Sequence, residues 1–134
     1  MEPTEPAEPA GSILVVEDEA DLVWVVRFNL ELEGYVTYVA ANGRAALDLL
    51  DEIVPDVILL DLMMPLIDGW AVLEEMRRRG TTSPKIVVVS ARTGQLERRR
   101  AEELAVDHFV AKPFDMDELL TVIRELLPPP RRQE

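Results

Sequence analysis

Five short apolar segments recur along the chain, and each is followed by a stretch in which apolar residues return every three or four positions. Segments such as Val57–Leu60 show no alternation of apolar and polar residues, which is typical of strands buried on both faces. The intervening stretches have the period of a helix with one buried face. The pattern therefore predicts strands at residues 13–16, 35–40, 57–60, 85–89 and 108–111, each followed by a helix.

The ends of the predicted helices are marked by residues that cap or stop helical backbone. The helices are expected over residues 18–33, 44–52, 70–79, 94–104 and 115–127. Gly34 and Gly80 follow the first and third helices as left-handed caps. Asp115 is expected to cap the last helix, with Glu118 three residues later completing a capping box.

The first helix carries an aromatic pair on its outer side. Its expected buried stripe consists of four apolar residues, Leu22, Val25, Val26 and Leu30. At about 100° per residue, Trp24 and Phe28 point away from that stripe. Two interpretations stay open: neighbouring side chains cover the pair in part, or the pair anchors an interface with another protein.

The alternation of strands and helices predicts a parallel sheet, because parallel neighbours need a crossover connection. Helices then cover both faces of the sheet, and right-handed crossovers leave few topologies. The segment 35–40 is more mixed in polarity, which places it at the sheet edge. The fourth helix has little apolar content and should be the least firmly packed element. The arginine runs at 77–79 and 98–100 are expected on solvated helix faces.

Composition excludes several functions. The 134 residues suit one domain, and no apolar run approaches the roughly 20 residues that span a membrane. The net charge of −12 argues against direct binding of nucleic acid. The chain has no cysteine, which excludes disulfides and thiolate chemistry and fits a cytoplasmic location. We expect a disordered Glu/Pro-rich leader at 1–11, one folded domain at 12–127 and a polar tail at 128–134.

Polar side chains follow four of the predicted strands at the point where each strand ends. The first strand is followed by Glu17 and Asp18, and the third by Asp61. Ser90 follows the fourth strand, and Lys112 follows the fifth. The carboxyl ends of parallel strands meet at one edge of a sheet, where α/β proteins bind ligands. An aspartate at a strand end is by itself an ordinary solvated carboxylate, but this set is chemically coherent.

The coherent chemistry is phosphoryl transfer assisted by Mg²⁺. Three converging carboxylates repel one another, and a divalent cation removes that conflict. A few oxygen ligands suit Mg²⁺, which keeps several waters and shares phosphate oxygens. Lys112 adds a second positive charge, and the hydroxyl of Ser90 can donate to an anionic oxygen. Asp61 beside these groups is equipped to attack a phosphoryl group in line.

With this set of residues, the sequence over 12–127 resembles the receiver domain of two-component response regulators. The motifs that carry the resemblance are Glu17-Asp18, Asp61 with Met64-Pro65 and Asp68-Gly69 behind it, Ser90-Ala91 and Lys112-Pro113-Phe114. The resemblance implies a flavodoxin-like doubly wound sheet of five parallel strands in the order 2-1-3-4-5, with helices on both faces. It also implies a signalling switch that accepts a phosphoryl group from a histidine kinase or a histidine phosphotransfer protein. Such a domain catalyses only its own phosphorylation and dephosphorylation.

The resemblance assigns roles to the charged residues of the site. Asp61 would be the phosphoacceptor, and Lys112 would assist the transfer. Asp18 and Asp61 would bind Mg²⁺ together with the backbone carbonyl of Met63. Glu17 would act on the metal through a bound water.

The resemblance also assigns the parts that respond to phosphorylation. Ser90 would complete the catalytic set and move to bond the phosphoryl group, and Phe109 would swing inward with it. Ala91 would leave room for the phosphoryl group, and the bond before Pro113 is a candidate cis peptide. A partner would read the change at the face formed by the fourth helix and the fifth strand. Trp24 and Phe28 could dock a kinase helix bundle or a second receiver.

Three features depart from the usual family pattern. Ala105 stands where Gly is usual at the end of the fourth helix, and a left-handed backbone there would cost about 1 kcal/mol. Arg98 and Arg99 stand where relatives are usually more apolar. Phe109 lacks the hydroxyl of the commoner Tyr, so its movement cannot use that group.

Three other functions compete with this interpretation. A receiver-like binding module that never turns over phosphate is disfavoured by the complete set of polar residues. A Mg²⁺-dependent hydrolase with Asp61 as nucleophile needs a second acid just after it, where Leu62 and Met63 stand, and usually a cap domain. A nucleotide-binding domain is disfavoured because the chain has neither a P-loop nor a Gly-x-Gly-x-x-Gly motif.

Overall fold

The structure is a computed structural model that describes residues 11–127. It confirms the predicted alternation of five strands with five helices. The strands are β1 (Ser12–Val16), β2 (Val36–Ala40), β3 (Val57–Asp61), β4 (Lys85–Ser90) and β5 (His108–Ala111). The helices are α1 (Ala20–Leu32), α2 (Gly43–Leu50), α3 (Gly69–Arg78), α4 (Gln95–Glu103) and α5 (Met116–Leu126). The predicted tail, and the predicted leader apart from Gly11, lie outside the described residues.

The five strands form one parallel sheet in the order β2-β1-β3-β4-β5, which confirms the implied topology. One face packs on α1 and α5 through a core cluster that includes Leu30 and Ile123. The other face packs on α2, α3 and the end of α4 through a cluster that includes Leu47 and Met76. The sheet is therefore doubly wound. All of β3 is buried, whereas β2 lies at the edge and is largely exposed.

Over residues 11–127, every helix falls short of the length and apolar content that crossing a membrane requires.

In helix α1, three of the four residues of the predicted buried stripe are confirmed and one is wrong. Val26 and Leu30 are buried, and Leu22 packs partly buried against the same cluster. Val25 was expected to be buried and is exposed. At about 100° per residue, it lies roughly 100° from the centre of the stripe that the other three residues form.

The start of α5 corrects a second expectation. Asp115 occupies the N-cap position with an extended backbone, as predicted, but its side chain makes no capping hydrogen bond. The expected capping box with Glu118 is therefore absent. Asp115, Asp117 and Glu118 are exposed, so water can satisfy the free N–H groups of this first turn. The acidic side chains still stabilise the helix through its dipole.

Left-handed backbone follows three of the helices. Gly34 has a φ of 99° and Gly80 a φ of 75°, as expected of left-handed caps. Ala105, beyond the end of α4, has a φ of 61°, so the residue that departs from the family pattern does adopt the conformation that favours glycine. Within α4 itself, Ala101 is the single buried residue, which agrees with its thin apolar content.

Three of the arginines expected on solvated faces also make specific contacts; Arg77 is half-buried, whereas Arg98 and Arg100 are exposed as predicted. Arg77 donates to the backbone carbonyls of Leu104 (2.8 Å), Ala105 (3.2 Å) and Thr81 (2.9 Å), which fastens α3 to the end of α4. A planar guanidinium with five N–H donors can bind several carbonyls at once. The spacing of polar residues along a helix gives no sign of such contacts.

The other two arginines stack on aromatic rings. Arg100 lies 4.4 Å from the ring centre of Trp70 and pairs with Glu74 at 2.7 Å. Arg98 lies 4.8 Å from the ring centre of Phe109. Both arginines are exposed, but their guanidinium groups attach α4 to its neighbours.

We expect Ala105→Gly to raise the free energy of unfolding by about 0.5–1 kcal/mol, because it removes left-handed strain that only a Cβ causes. Urea unfolding followed by circular dichroism measures the change. Ala45→Gly, inside α2, is the control and should lower the free energy of unfolding by a similar amount. A loss of stability in Ala105→Gly would contradict the prediction.

Candidate functional site

The register of the sheet brings the predicted charged residues to one edge. The last paired residues of β1 and β3 are Val16 and Leu60, so Glu17 and Asp61 follow them side by side. The last pair of β4 and β5 places Lys112 at the same edge. The polar residues predicted to follow four of the strands therefore do lie at the same edge of the sheet.

Three carboxylates form an acidic cluster at this edge. One oxygen from each of Glu17, Asp18 and Asp61 lies within 4.8 Å of the others. Glu17 is 7% exposed and Asp61 only 4%, whereas Asp18 is exposed to solvent. Burial raises the pKa of Glu17, the bond from Lys112 lowers it, and the nearby charge of Asp61 raises it again, with a net rise.

Lys112 bridges the two buried carboxylates. Its Nζ donates to Oε1 of Glu17 at 3.0 Å and to Oδ2 of Asp61 at 3.2 Å. Burial by itself lowers the pKa of this ammonium group, but the hydrogen bond to Glu17 and the charge of Asp61 outweigh burial and raise it. Lys112 is therefore held in its charged form inside the site.

The loop after β3 fixes the other oxygen of Asp61. The backbone N–H of Met63 donates to Oδ1 of Asp61 at 3.0 Å. The far end of the loop returns to the strand, where the N–H of Gly69 donates to the carbonyl of Leu62 at 3.2 Å. A Cβ on Gly69 would lie 2.6 Å from the carbonyl oxygen of Asp61, so only glycine permits this approach. Asp68 then caps α3 by accepting from the N–H of Ala71 at 2.9 Å.

Ser90 lies at the end of β4 and is only 1% exposed. Its Oγ accepts from the N–H of Arg92 at 3.0 Å, and its carbonyl accepts from the N–H of Lys112 at 2.9 Å. The hydroxyl is thus engaged with its own loop. The small side chain of Ala91 borders the acidic cleft beside it.

A cleft of about 390 Å³ lies over the acidic cluster. It is lined by the predicted residues Glu17, Asp18, Asp61, Met63, Ala91 and Lys112, together with Glu19. Three carboxylates against one ammonium group leave an excess negative charge that a divalent cation can balance. Hard oxygen donors on an open cleft are the ligands that Mg²⁺ prefers, so the residues present fit this metal.

Three of the predicted residues, Ser90, Phe109 and Pro113, lie outside the cleft. The bond between Lys112 and Pro113 is cis, which confirms the candidate. Phe109 packs partly buried against the core cluster beneath α2 and α3, under the guanidinium of Arg98. Ser90 lines a neighbouring cavity rather than the acidic cleft.

Sequence reasoning missed three contacts that position the site. These are the bond from Lys112 to Glu17, the close approach of Gly69 to β3 and the stacking of Arg98 on Phe109. The Asp68-Gly69 motif was a signal for the second, because glycine after a capping residue often marks a close backbone approach. The other two join residues that are distant along the chain or on different elements, and a local pattern carries no sign of them.

Comparisons with known proteins agree with this geometry. The family described as response regulator receiver domain matches residues 13–124. The receiver domain of the Francisella response regulator 1452 is 28% identical, with a TM-score of 0.82 over 87% of this chain and 95% of that one. The response regulator TrrA from Thermotoga maritima, in complex with Mg²⁺-BeF, is 33% identical, with a TM-score of 0.77 over 87% and 98%. The signal receiver domain of a signal transduction histidine kinase from Syntrophus aciditrophicus is 29% identical, with a TM-score of 0.78 over 92% and 95%.

We expect Lys112→Met to lower the free energy of unfolding in metal-free buffer by on the order of 3 kcal/mol, because it leaves two buried carboxylates without their cation. Mg²⁺ should recover part of the loss by replacing the missing charge. Urea unfolding with EDTA and with Mg²⁺ measures both effects. Lys85→Met, at the exposed position of the other lysine in the chain, is the matched control and should change little. Equal effects of the two substitutions would refute this account of Lys112.

Proposed function

The chain belongs to the response regulator receiver domain family, and from that premise we propose that Asp61 accepts a phosphoryl group from a phosphohistidine of a histidine kinase or a histidine phosphotransfer protein. A receiver domain is a phosphorylation-dependent signalling module of two-component systems. The observation that carries the proposal is the convergence of Glu17, Asp18 and Asp61 with Lys112 in one open cleft. We assign this function to residues 12–127.

The transfer exchanges one bond for another at phosphorus. A carboxylate oxygen of Asp61 forms a bond to phosphorus while the bond from phosphorus to the imidazole nitrogen breaks. The electron pair stays on the imidazole, which takes up a proton. The fixed contacts of Asp61 with the N–H of Met63 and with Lys112 hold the carboxylate in one orientation, so little reorganisation is needed for in-line attack.

The remaining charged groups stabilise the transfer. Asp18, Asp61 and the backbone carbonyl of Met63 would hold Mg²⁺, with Glu17 acting through a bound water. When bound, the metal supplies positive charge against the oxygens of the phosphoryl group. The Mg²⁺-BeF complex of TrrA supports a metal requirement in this chain. Lys112 lies within hydrogen-bond distance of Asp61 and can donate to a phosphoryl oxygen after transfer.

The phosphorylated state would be recognised by Ser90. Its hydroxyl would give up the N–H of Arg92 and donate to a phosphoryl oxygen, with the small Ala91 leaving space for the group. Phe109 would follow inward and change the face formed by α4 and β5. A downstream protein or a second copy of the chain reads that face. The added charge thus biases an element with two arrangements.

The exposed aromatic pair of α1 provides a docking surface for the kinase. Trp24 is 66% exposed and Phe28 is 50% exposed, so the partial cover by neighbours is small. Their rings stack with centres 5.3 Å apart on the helix that begins beside the acidic cluster. Exposed aromatic side chains often anchor interfaces, which supports a docking role for this pair.

We expect the purified protein to gain the mass of one phosphoryl group when it is incubated with Mg²⁺ and phosphoramidate. Intact mass spectrometry measures the gain, and EDTA should abolish it. Asp61→Asn should show no gain because it lacks the nucleophile, whereas Asp115→Asn, an exposed aspartate outside the cleft, should behave as the wild type. A gain that persists in Asp61→Asn, or its absence from the wild type, would count against the proposal.

We expect Trp24→Ala to slow phosphotransfer from a phosphorylated histidine kinase about tenfold, which corresponds to the loss of one interface anchor. The reaction with phosphoramidate needs no docking and should keep its rate. Leu32→Ala, at the exposed far end of the same helix, is the control. Transfer from the kinase at the full rate in Trp24→Ala would remove the docking role of this pair.

A further inference from the structure

Arg98 on α4 joins three parts of the region that responds to phosphorylation. Its guanidinium lies 4.8 Å from the ring centre of Phe109 on β5. Its Nε donates to the backbone carbonyl of Thr93 at 3.2 Å, in the loop between β4 and α4. One side chain therefore connects the fourth helix, the fifth strand and the loop that begins at Ser90.

The contact with the ring matters because Phe109 has no polar atom of its own. A hydroxyl at this position could couple the ring to the loop by a hydrogen bond, but phenylalanine can be held only by packing and through its π-face. A guanidinium over an aromatic face is attracted by the ring quadrupole. Arg98 thus supplies the polar coupling that Phe109 lacks.

The loop contact links Arg98 to Ser90. In this structure Oγ of Ser90 accepts from the N–H of Arg92, and the next residue, Thr93, offers its carbonyl to Arg98. When the hydroxyl of Ser90 turns towards the acidic cleft, it releases the N–H of Arg92. The carbonyl of Thr93 lies one residue further along the same loop, so a movement of this segment would alter its bond to Arg98.

The helix that carries Arg98 is attached firmly at only one end. Arg77 binds the carbonyls of Leu104 and Ala105 beyond its C-terminus, and Ala101 is buried near that end. In the N-terminal half, Leu96 is 79% exposed. The Arg98 contacts are therefore a principal attachment of the half of α4 nearest to Ser90.

We propose that Arg98 is a positioning residue that holds the ring of Phe109 and the Ser90 loop in the arrangement of this structure until Asp61 is phosphorylated. This inference rests on the proposed function, because it assumes that the Ser90 loop responds to the phosphoryl group. Release of Arg98 frees the ring and the N-terminal half of α4 in one step. Removal of the guanidinium shifts the same equilibrium without phosphorylation.

The test uses beryllofluoride with Mg²⁺ as the probe of the phosphorylated state. The chain has three phenylalanines, so selective ¹³C labelling of their rings gives three sets of NMR signals, and Phe109→Leu identifies those of Phe109. Titration with beryllofluoride at saturating Mg²⁺ gives both the position of the Phe109 signal and the apparent affinity. The proteins compared are the wild type, Arg98→Met, Arg98→Lys and Arg99→Met.

Arg98→Met should move the Phe109 signal, before any beryllofluoride is added, towards its position in the saturated wild type. It should also tighten beryllofluoride binding about two- to five-fold, the change that the loss of an exposed cation–π contact produces. The direction is diagnostic, because the loss of a positive charge alone weakens the binding of an anion. Arg98→Lys, which keeps the cation, should restore most of the wild-type behaviour.

Arg99→Met is the matched control for charge and helix propensity, since Arg99 is the exposed neighbour for which residues 11–127 show no hydrogen bond, ion pair or ring contact. Unchanged or weaker binding in Arg98→Met, or the same tightening in Arg99→Met, would overturn the proposal. So would a Phe109 signal that beryllofluoride leaves in place in the wild type. If Asp61 takes up a phosphoryl group normally in each of these cases, the proposed function stands and only the role of Arg98 fails.

Discussion

The burial of two carboxylates against one ammonium group is the interaction on which the site depends. Glu17 and Asp61 lie at neighbouring strand ends of a sheet that is covered on both faces, so neither is well solvated. Lys112 satisfies one oxygen of each, yet one positive charge cannot balance three carboxylates. The residual negative charge explains why this edge suits a divalent cation and, with the cation, a phosphoryl group.

The rest of the fold divides into parts that hold this arrangement and parts that can respond to it. The sheet and the base of the loop after Asp61 belong to the first group, because β3 is buried throughout and the close approach of Gly69 fixes where the loop returns. Helix α4 differs, since only Ala101 is buried and arginine side chains make its principal attachments. Cation–π and side-chain hydrogen bonds at exposed sites are weak enough for a single charge change to redistribute them.

The departures from the family pattern fall on this second part. Ala105 accepts left-handed backbone at the end of α4, where Arg77 binds its carbonyl. Arg98 and Phe109 replace an apolar residue and a tyrosine with a contacting pair. None of these departures lines the acidic cleft, so under the proposed function they bear on how the signal is transmitted rather than on how the phosphoryl group is accepted.

The sequence by itself determined the five strands, the five helices, the order of the sheet by resemblance, and the polar residues that meet at its carboxyl edge. It could do so because the spacing of apolar residues and the type of residue that follows each strand are local properties of the sequence. The parallel topology then brings the strand ends together at one edge. It wrongly predicted that Val25 is buried, because this residue lies at the border of the apolar stripe of α1. It also wrongly predicted a capping hydrogen bond from Asp115, because the first turn of α5 is exposed and water can take the place of that bond. Only the tertiary structure decided what the arginines contact and that Lys112 bridges Glu17 and Asp61. A long charged side chain selects among partners that lie within its reach in space, and those partners are 95 and 51 residues away along the chain for Lys112.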